Sequence, residues 1–211
     1  MDPSPRTTLP EQAGLPSRTD PSRRALRGGR VPGRGSALIE FALVLPLLII
    51  LVLATIDFGH LIQARLIITN VAREGGSIAS RQTAIDSSLT GMLAASGRAL
   101  ALAGPDGRIF ITRIKAGALA DAPLPAITAQ IATGTLGVSP KIAAGRPDLG
   151  LTHAVHDHLV FNSTNGTADI SEVTAVEVYY KYRSITPLPY LVPGLLRSHG
   201  DGVIIASKAV F

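Results

Sequence analysis

Side chains of the types that do chemistry are concentrated in two places in this 211-residue chain. His153, His156 and His158 form an H-x-x-H-x-H run whose imidazoles are suited to a metal. Asp157 is the nearby carboxylate and completes no ligand set, so no metal and no cofactor are expected. No G-x-S-x-G, Walker A or H-E-x-x-H string occurs, and no nucleophile stands at a recognisable spacing from a base, so no catalytic residue is nominated. The second place is Gly35-Ser36-Ala37-Leu38-Ile39-Glu40-Phe41, where a polar segment meets an apolar one. An acid in hydrocarbon is costly, about 2.5 to 3.5 kcal/mol for Asp at a helix centre and less near an end. Glu40 therefore calls for a reason. It can snorkel near a helix end and favour the amino-terminal dipole. If instead the chain is cut after Gly35, Ser36 becomes a new amino terminus and Glu40, one helical turn on, gains an ammonium group to pair with, in the same chain or a neighbour. Gly at a cut site suits a peptidase, because backbone without a side chain approaches catalytic groups closely.

The elements that position this junction follow from composition. Residues 1–35 are rich in Pro, Gly and Arg. Their seven Arg stand against Asp2, Glu11 and Asp20 and supply +4 of the formal charge of +5. With almost no large apolar side chains they cannot offset the entropy of ordering, and we expect a disordered basic cytoplasmic leader; a cloning scar or misassigned start is the bland alternative. Because the basic excess sits in one tail and not over a folded face, nucleic-acid binding is not expected. No Cys is present, which excludes disulfides and thiolate zinc sites.

Residues 37–56 read ALIEFALVLPLLIILVLATI, twenty residues with Glu40 as the one charge, enough to cross about 30 Å of hydrocarbon. Seven Arg precede this run, whereas Arg65, Arg73 and Arg81 follow it against Asp57 and Glu74. The positive-inside rule then puts the amino end in the cytoplasm and the carboxyl side outside. A secretory signal peptide is the competing reading, but the run is too long for one and no small-x-small cleavage site follows. Pro46 in mid-span is tolerated with a kink. Beyond the span, apolar or small residues at 61, 64, 68, 71, 72, 75 and 79 keep helical spacing, with Gln63, Asn70, Glu74, Ser77 and Arg81 on another face, so one helix over about 36–81 is expected. Gly75-Gly76 reads as a point of bending, Asp57 as a boundary charge and Arg73-Glu74 as a solvated pair.

A second helix over 87–103 follows Asp86-Ser87 and ends at Gly104-Pro105. Strands are expected over 108–115, 172–184 and 202–210, with loop over 117–150 holding at most a short strand near 127–132. In 172–184, Val176, Val178, Tyr180 and Tyr182 face one way and Glu177, Tyr179, Lys181 and Arg183 the other. Asn165-Gly166 reads as a turn and not as a used glycosylation acceptor. The connection TPLPYLVPGLL before the last strand is too apolar for a solvated loop; packing under the sheet, touching the membrane surface and contacting a partner all remain open.

Gly35 followed after four residues by Glu40 and then Phe41 resembles the prepilin-type processing site. The resemblance extends over GSALIEFALVLPLLIILVLATIDFGHLIQARLIITNVAREGG, which looks like the amino-terminal module of TadE-like pilus-assembly proteins, the minor pseudopilins of tight-adherence systems. Glu40-Phe41, Pro46, Asp57 with Gly59, and Ala72-Arg73-Glu74-Gly75 carry it; residues 82–170 carry none of it. It implies a non-enzymatic minor pseudopilin processed after Gly35, with Glu40 setting the register between packed helices. The cytoplasmic membrane, a prepilin peptidase, a major pilin and other minor pseudopilins would be its partners, with no small-molecule substrate. The alternatives are an unprocessed inner-membrane scaffold of the same machinery and a membrane-tethered hydrolase or metal enzyme. The expected architecture is α+β and pilin-like: a leader at 1–35, a transmembrane and amphipathic helix at 36–81, and an exported domain at 82–211 with a short helix and a small antiparallel sheet.

Overall fold

The computed structural model of the chain describes residues 34–187, 191 and 202–211. Of the expected leader, residues 1–33 lie outside the described residues, as do 188–190 and 192–196 of the apolar connection. Helix α1 (Arg34–Ala79) runs unbroken through Pro46. The missing Pro46 amide leaves the Ala42 carbonyl without its usual partner, a loss that a long helix absorbs. The chain divides into two units, Met1–Val44 and Leu45–Phe211, and all the packing of α1 described here belongs to the second.

After α1 come α2 (Ser87–Ser96), β1 (Gly107–Lys115), β2 (Ala126–Thr133), α3 (His153–Leu159), β3 (Glu172–Tyr182) and β4 (Val203–Val210). The architecture is α+β, with a long apolar helix, a short helix and one antiparallel four-stranded sheet in the order β2-β1-β3-β4. Asp86 caps α2 by accepting from the Leu89 amide at 3.1 Å and the Ser88 hydroxyl at 2.6 Å. Those two bonds, Ser88 first, hold its carboxyl below the usual carboxylate range. The helix ends at Ser96 and not near 103: Gly97 follows, and Arg98–Leu100 is a single 3-10 turn. A Cβ at Gly97 would stand 2.3 Å from the Leu102 side chain, so the chain breaks there to bring Leu102 into the core.

Period-two alternation divides the sheet into two buried faces. On one, Ile109 and Ile111 of β1 and Val176 and Val178 of β3 pack against Ile68, Val71 and Ala72 of α1 and Leu89 and Leu93 of α2. The α1 residues recur at the spacing that the sequence predicts for its apolar face. On the other face, the one to which alternation assigns Glu177 and Tyr179, both of these residues are buried. An irregular layer from 136–151 covers them together with α3, putting Ile142, Leu151 and Leu159 against Ile114, Val173 and Ala175. Glu177 satisfies that layer's backbone by accepting from the Lys141 and Ile142 amides at 3.1 Å each, and the Tyr179 hydroxyl donates to it at 3.1 Å. Phe110 meets Tyr179 edge to face with centroids 5.9 Å apart. Burial, with the Glu177 carboxylate adding to it, pushes the Tyr179 phenol up to about 12.

Candidate functional site

Helix α1 is the element on which the candidate functional residues lie, and its two halves differ. In the first half the side chains of Leu38, Phe41, Leu43, Leu47 and Leu51 are exposed. Mean hydropathy reaches 2.9 in its most apolar stretch, which is 0% buried. Among the described residues it is the one helix long and apolar enough to cross a membrane. An exposed apolar surface of this extent needs a cover other than water. In the second half Ile68, Val71, Ala72 and Ala79 are buried against the sheet and α2, and Ala64 is buried as well.

Gly35 lies in the first turn of α1 with open space where a Cβ would be, and Glu40 and Phe41 are exposed on the same helix. Gly59 is likewise open. Arg73 and Glu74 are exposed. Gly75 and Gly76 lie within α1, which continues to Ala79, and let it approach its neighbours. A Cβ on Gly75 would stand 2.7 Å from Leu93 Cδ1, and one on Gly76 would stand 2.2 Å from the Phe211 ring.

Asp57 departs most from its sequence reading. It is buried, which its reading as a boundary charge did not foresee. Its carboxylate accepts from the Ser184 hydroxyl, from the Thr186 hydroxyl at 2.5 Å, and from the Ile185 and Thr186 amides at 3.0 and 3.2 Å. Its own carbonyl accepts from the Tyr182 hydroxyl at 2.9 Å. The strand-to-loop corner after β3 is thereby fixed to α1 just past the apolar run. At the other end of the packed half, buried Arg113 on β1 donates to the carbonyls of Ala79 at 3.1 Å, Thr83 at 2.5 Å and Gln82, and pairs with Glu172 at 2.7 Å. A guanidinium there satisfies carbonyls that a helix terminus leaves orphaned and complements its negative end. Sequence reading offered no signal for this role, because RIFITRIK looks like any alternating strand.

Along α1, residues 57 to 79 span about 33 Å at about 1.5 Å per residue. From Ser184 back to Thr174, the partner of Arg113, the chain spans about 33 Å at about 3.3 Å per residue. The two lengths match, so helix and strand can be joined at both ends without strain.

Residues 35–77 match the family model of TadE-like protein. This segment is TadE-like. The match begins at Gly35, crosses the exposed apolar half and ends within the packed half of α1. It supports a tight-adherence pilus-assembly component, and with the apolar helix it fits a single-pass membrane protein. No curated protein and no solved structure matches the chain.

The histidine run lies on α3, outside the matched segment, where each ring has a carboxylate neighbour: His153 with Asp157 at 3.7 Å, His156 with Asp157 at 3.8 Å and Asp148 at 4.0 Å, and His158 with Asp169 at 2.9 Å. Among the described residues no group of three or more such side chains is arranged to hold a metal. The Asn162 to Thr167 segment closes as a turn, with Gly166 at φ 71° donating its amide to the Asn162 carbonyl at 2.9 Å.

Proposed function

We propose that this TadE-like chain is a minor pseudopilin of a tight-adherence system, cut after Gly35 by a prepilin peptidase. It is held in the cytoplasmic membrane by residues 37–56, with its amino end inside and the domain from 82 onward outside. The observation that carries this reading is the division of one helix into an exposed apolar half and a half buried against its own sheet. The first half is available to lipid before assembly and to the helices of a major pilin and other minor pseudopilins afterwards. Ser36 becomes the new terminus, and Glu40 pairs with an ammonium group of its own or a neighbouring chain, which sets the register of the packed helices. Pro46, Gly59, Ala72, Arg73 and Glu74 belong to the same module, with Ala72 and Gly75 serving close packing.

Gly35 sits in the first turn of α1, where the helix frays most easily and backbone can be drawn out for cleavage. Its helical state is also the observation that favours the second reading, an inner-membrane scaffold that keeps its leader. Amino-terminal sequencing of protein from cells with an active prepilin peptidase separates the two. A start at Ser36 is expected, and Gly35→Leu is expected to give a species longer by the leader. An intact leader in the wild-type protein, or unchanged mobility of Gly35→Leu, rejects the pseudopilin.

A further inference from the structure

Given the anchoring of α1 proposed above, we propose that the end of the exported domain nearest the span dips into the bilayer's headgroup and upper acyl region, with Ile185, Leu191, Val203 and Ile204 as its apolar contacts. Asp57 is the first residue past the apolar stretch 37–56, which puts it at the membrane boundary. Its carboxylate holds Ser184, Ile185 and Thr186, and its carbonyl holds the Tyr182 hydroxyl. The corner after β3 is thereby fixed at the depth of residue 57. The chain returns to the same depth in β4, where Val203 pairs with Tyr182 and Ile204 with Lys181.

The side chains presented at this end are apolar and exposed: Ile185 is 66% accessible, and Leu191, Val203 and Ile204 are exposed as well. Phe58, beside Asp57 on α1, is also exposed, so exposed apolar side chains stand next to the Asp57 level on the helix as well as on the domain. Their place at the end of the apolar stretch, fixed by the Asp57 bonds, argues for lipid as the occupant. A domain tied to its span within one turn of the boundary brings these side chains to the depth that interfacial elements reach, about 5 to 10 Å below the headgroups. Arg183, ion-paired with Asp106 at 2.8 Å, stands at the same level and suits the charged headgroup layer.

The chain contains no Trp, so a single introduced indole reports its own surroundings. The full chain is reconstituted in phosphatidylethanolamine and phosphatidylglycerol vesicles whose acyl chains are brominated close to the headgroup. Three variants are compared. Leu47→Trp lies in the span. Ile185→Trp lies at the proposed contact. Leu119→Trp, at 65% accessibility as exposed as Ile185, lies past Lys115 at the opposite end of the sheet. Loss of fluorescence with a blue shift at positions 47 and 185, and neither at 119, is expected. If 47 is quenched while 185 behaves like 119, the lipid contact is wrong and the anchoring stands; an Ile185→Cys chain that then cross-links to a second copy reassigns the surface to protein. Equal quenching at 119 overturns the proposed depth. An unquenched Leu47→Trp removes the anchoring and the lipid contact together.

Discussion

Replacing Asp57 with Ala removes the acceptor of four hydrogen bonds, two from hydroxyls and two from the amides of Ile185 and Thr186. The hydroxyls can rotate toward water, so their loss costs little. The two amides lose charge-assisted bonds worth about 1.5 kcal/mol each at the lower end of the usual range, which together make about 3 kcal/mol. Because about 1.4 kcal/mol is a factor of ten, the corner should open roughly a hundred times more often. Native-state hydrogen exchange of the full chain in lipid nanodiscs reads this directly: protection at Ile185 and Thr186 is expected to fall by about two orders of magnitude, with Ile111 and Val176 in the centre of the sheet keeping theirs. Unchanged exchange at 185 and 186 would refute the clamp. So would an equal loss at 111 and 176, since Asp57 would then support the whole domain and not one corner of it.

Two glycines on helices should respond to Ala with opposite signs. Gly75→Ala drives a methyl into buried Leu93 and should destabilise by about 1 to 3 kcal/mol, whereas Gly91→Ala meets open space and should stabilise by up to about 1 kcal/mol; thermal unfolding in detergent compares them. Glu177→Leu leaves the Lys141 and Ile142 amides without an acceptor and should cost about 2 to 4 kcal/mol, seen as a lower midpoint in denaturant; an unchanged midpoint would mean that the irregular layer is not held by this carboxylate. Unfolded Tyr179 releases its proton near pH 10.0 and the folded phenol holds it to about 12, so the unfolded chain binds fewer protons in that window. Stability should therefore be unaffected by this group below pH 10 and fall from there toward 12, and Tyr179→Phe should flatten the decline.

The span, the continuing helix and the strands at 108–115 and 172–184 were legible because each rests on local composition or periodicity. Asp57 was not, because its acceptor role depends on Ser184 and Thr186, which are 127 and 129 residues away in sequence. An acid after an apolar run looks the same in sequence whether it faces water or a buried corner. The burial of Glu177 and Tyr179 was not legible for a related reason. Alternation along β3 assigns each residue to a face correctly but does not say whether that face is covered, and the cover comes from 136–151, which has no periodicity to read. Gly75-Gly76 signalled a backbone without side chains; whether that freedom serves bending or close approach depends on Leu93 and Phe211.

The packed half of α1 is joined to the sheet by a polar fastening at each end, Asp57 near the span and Arg113 at the far carbonyls, with apolar contacts between them. Tension applied along the span would thus enter the domain parallel to β3, as shear. Sliding a helix along a strand requires both fastenings and the interdigitated side chains to yield together, whereas peeling would break them one at a time. A domain fastened this way can be pulled by its helix without first coming apart.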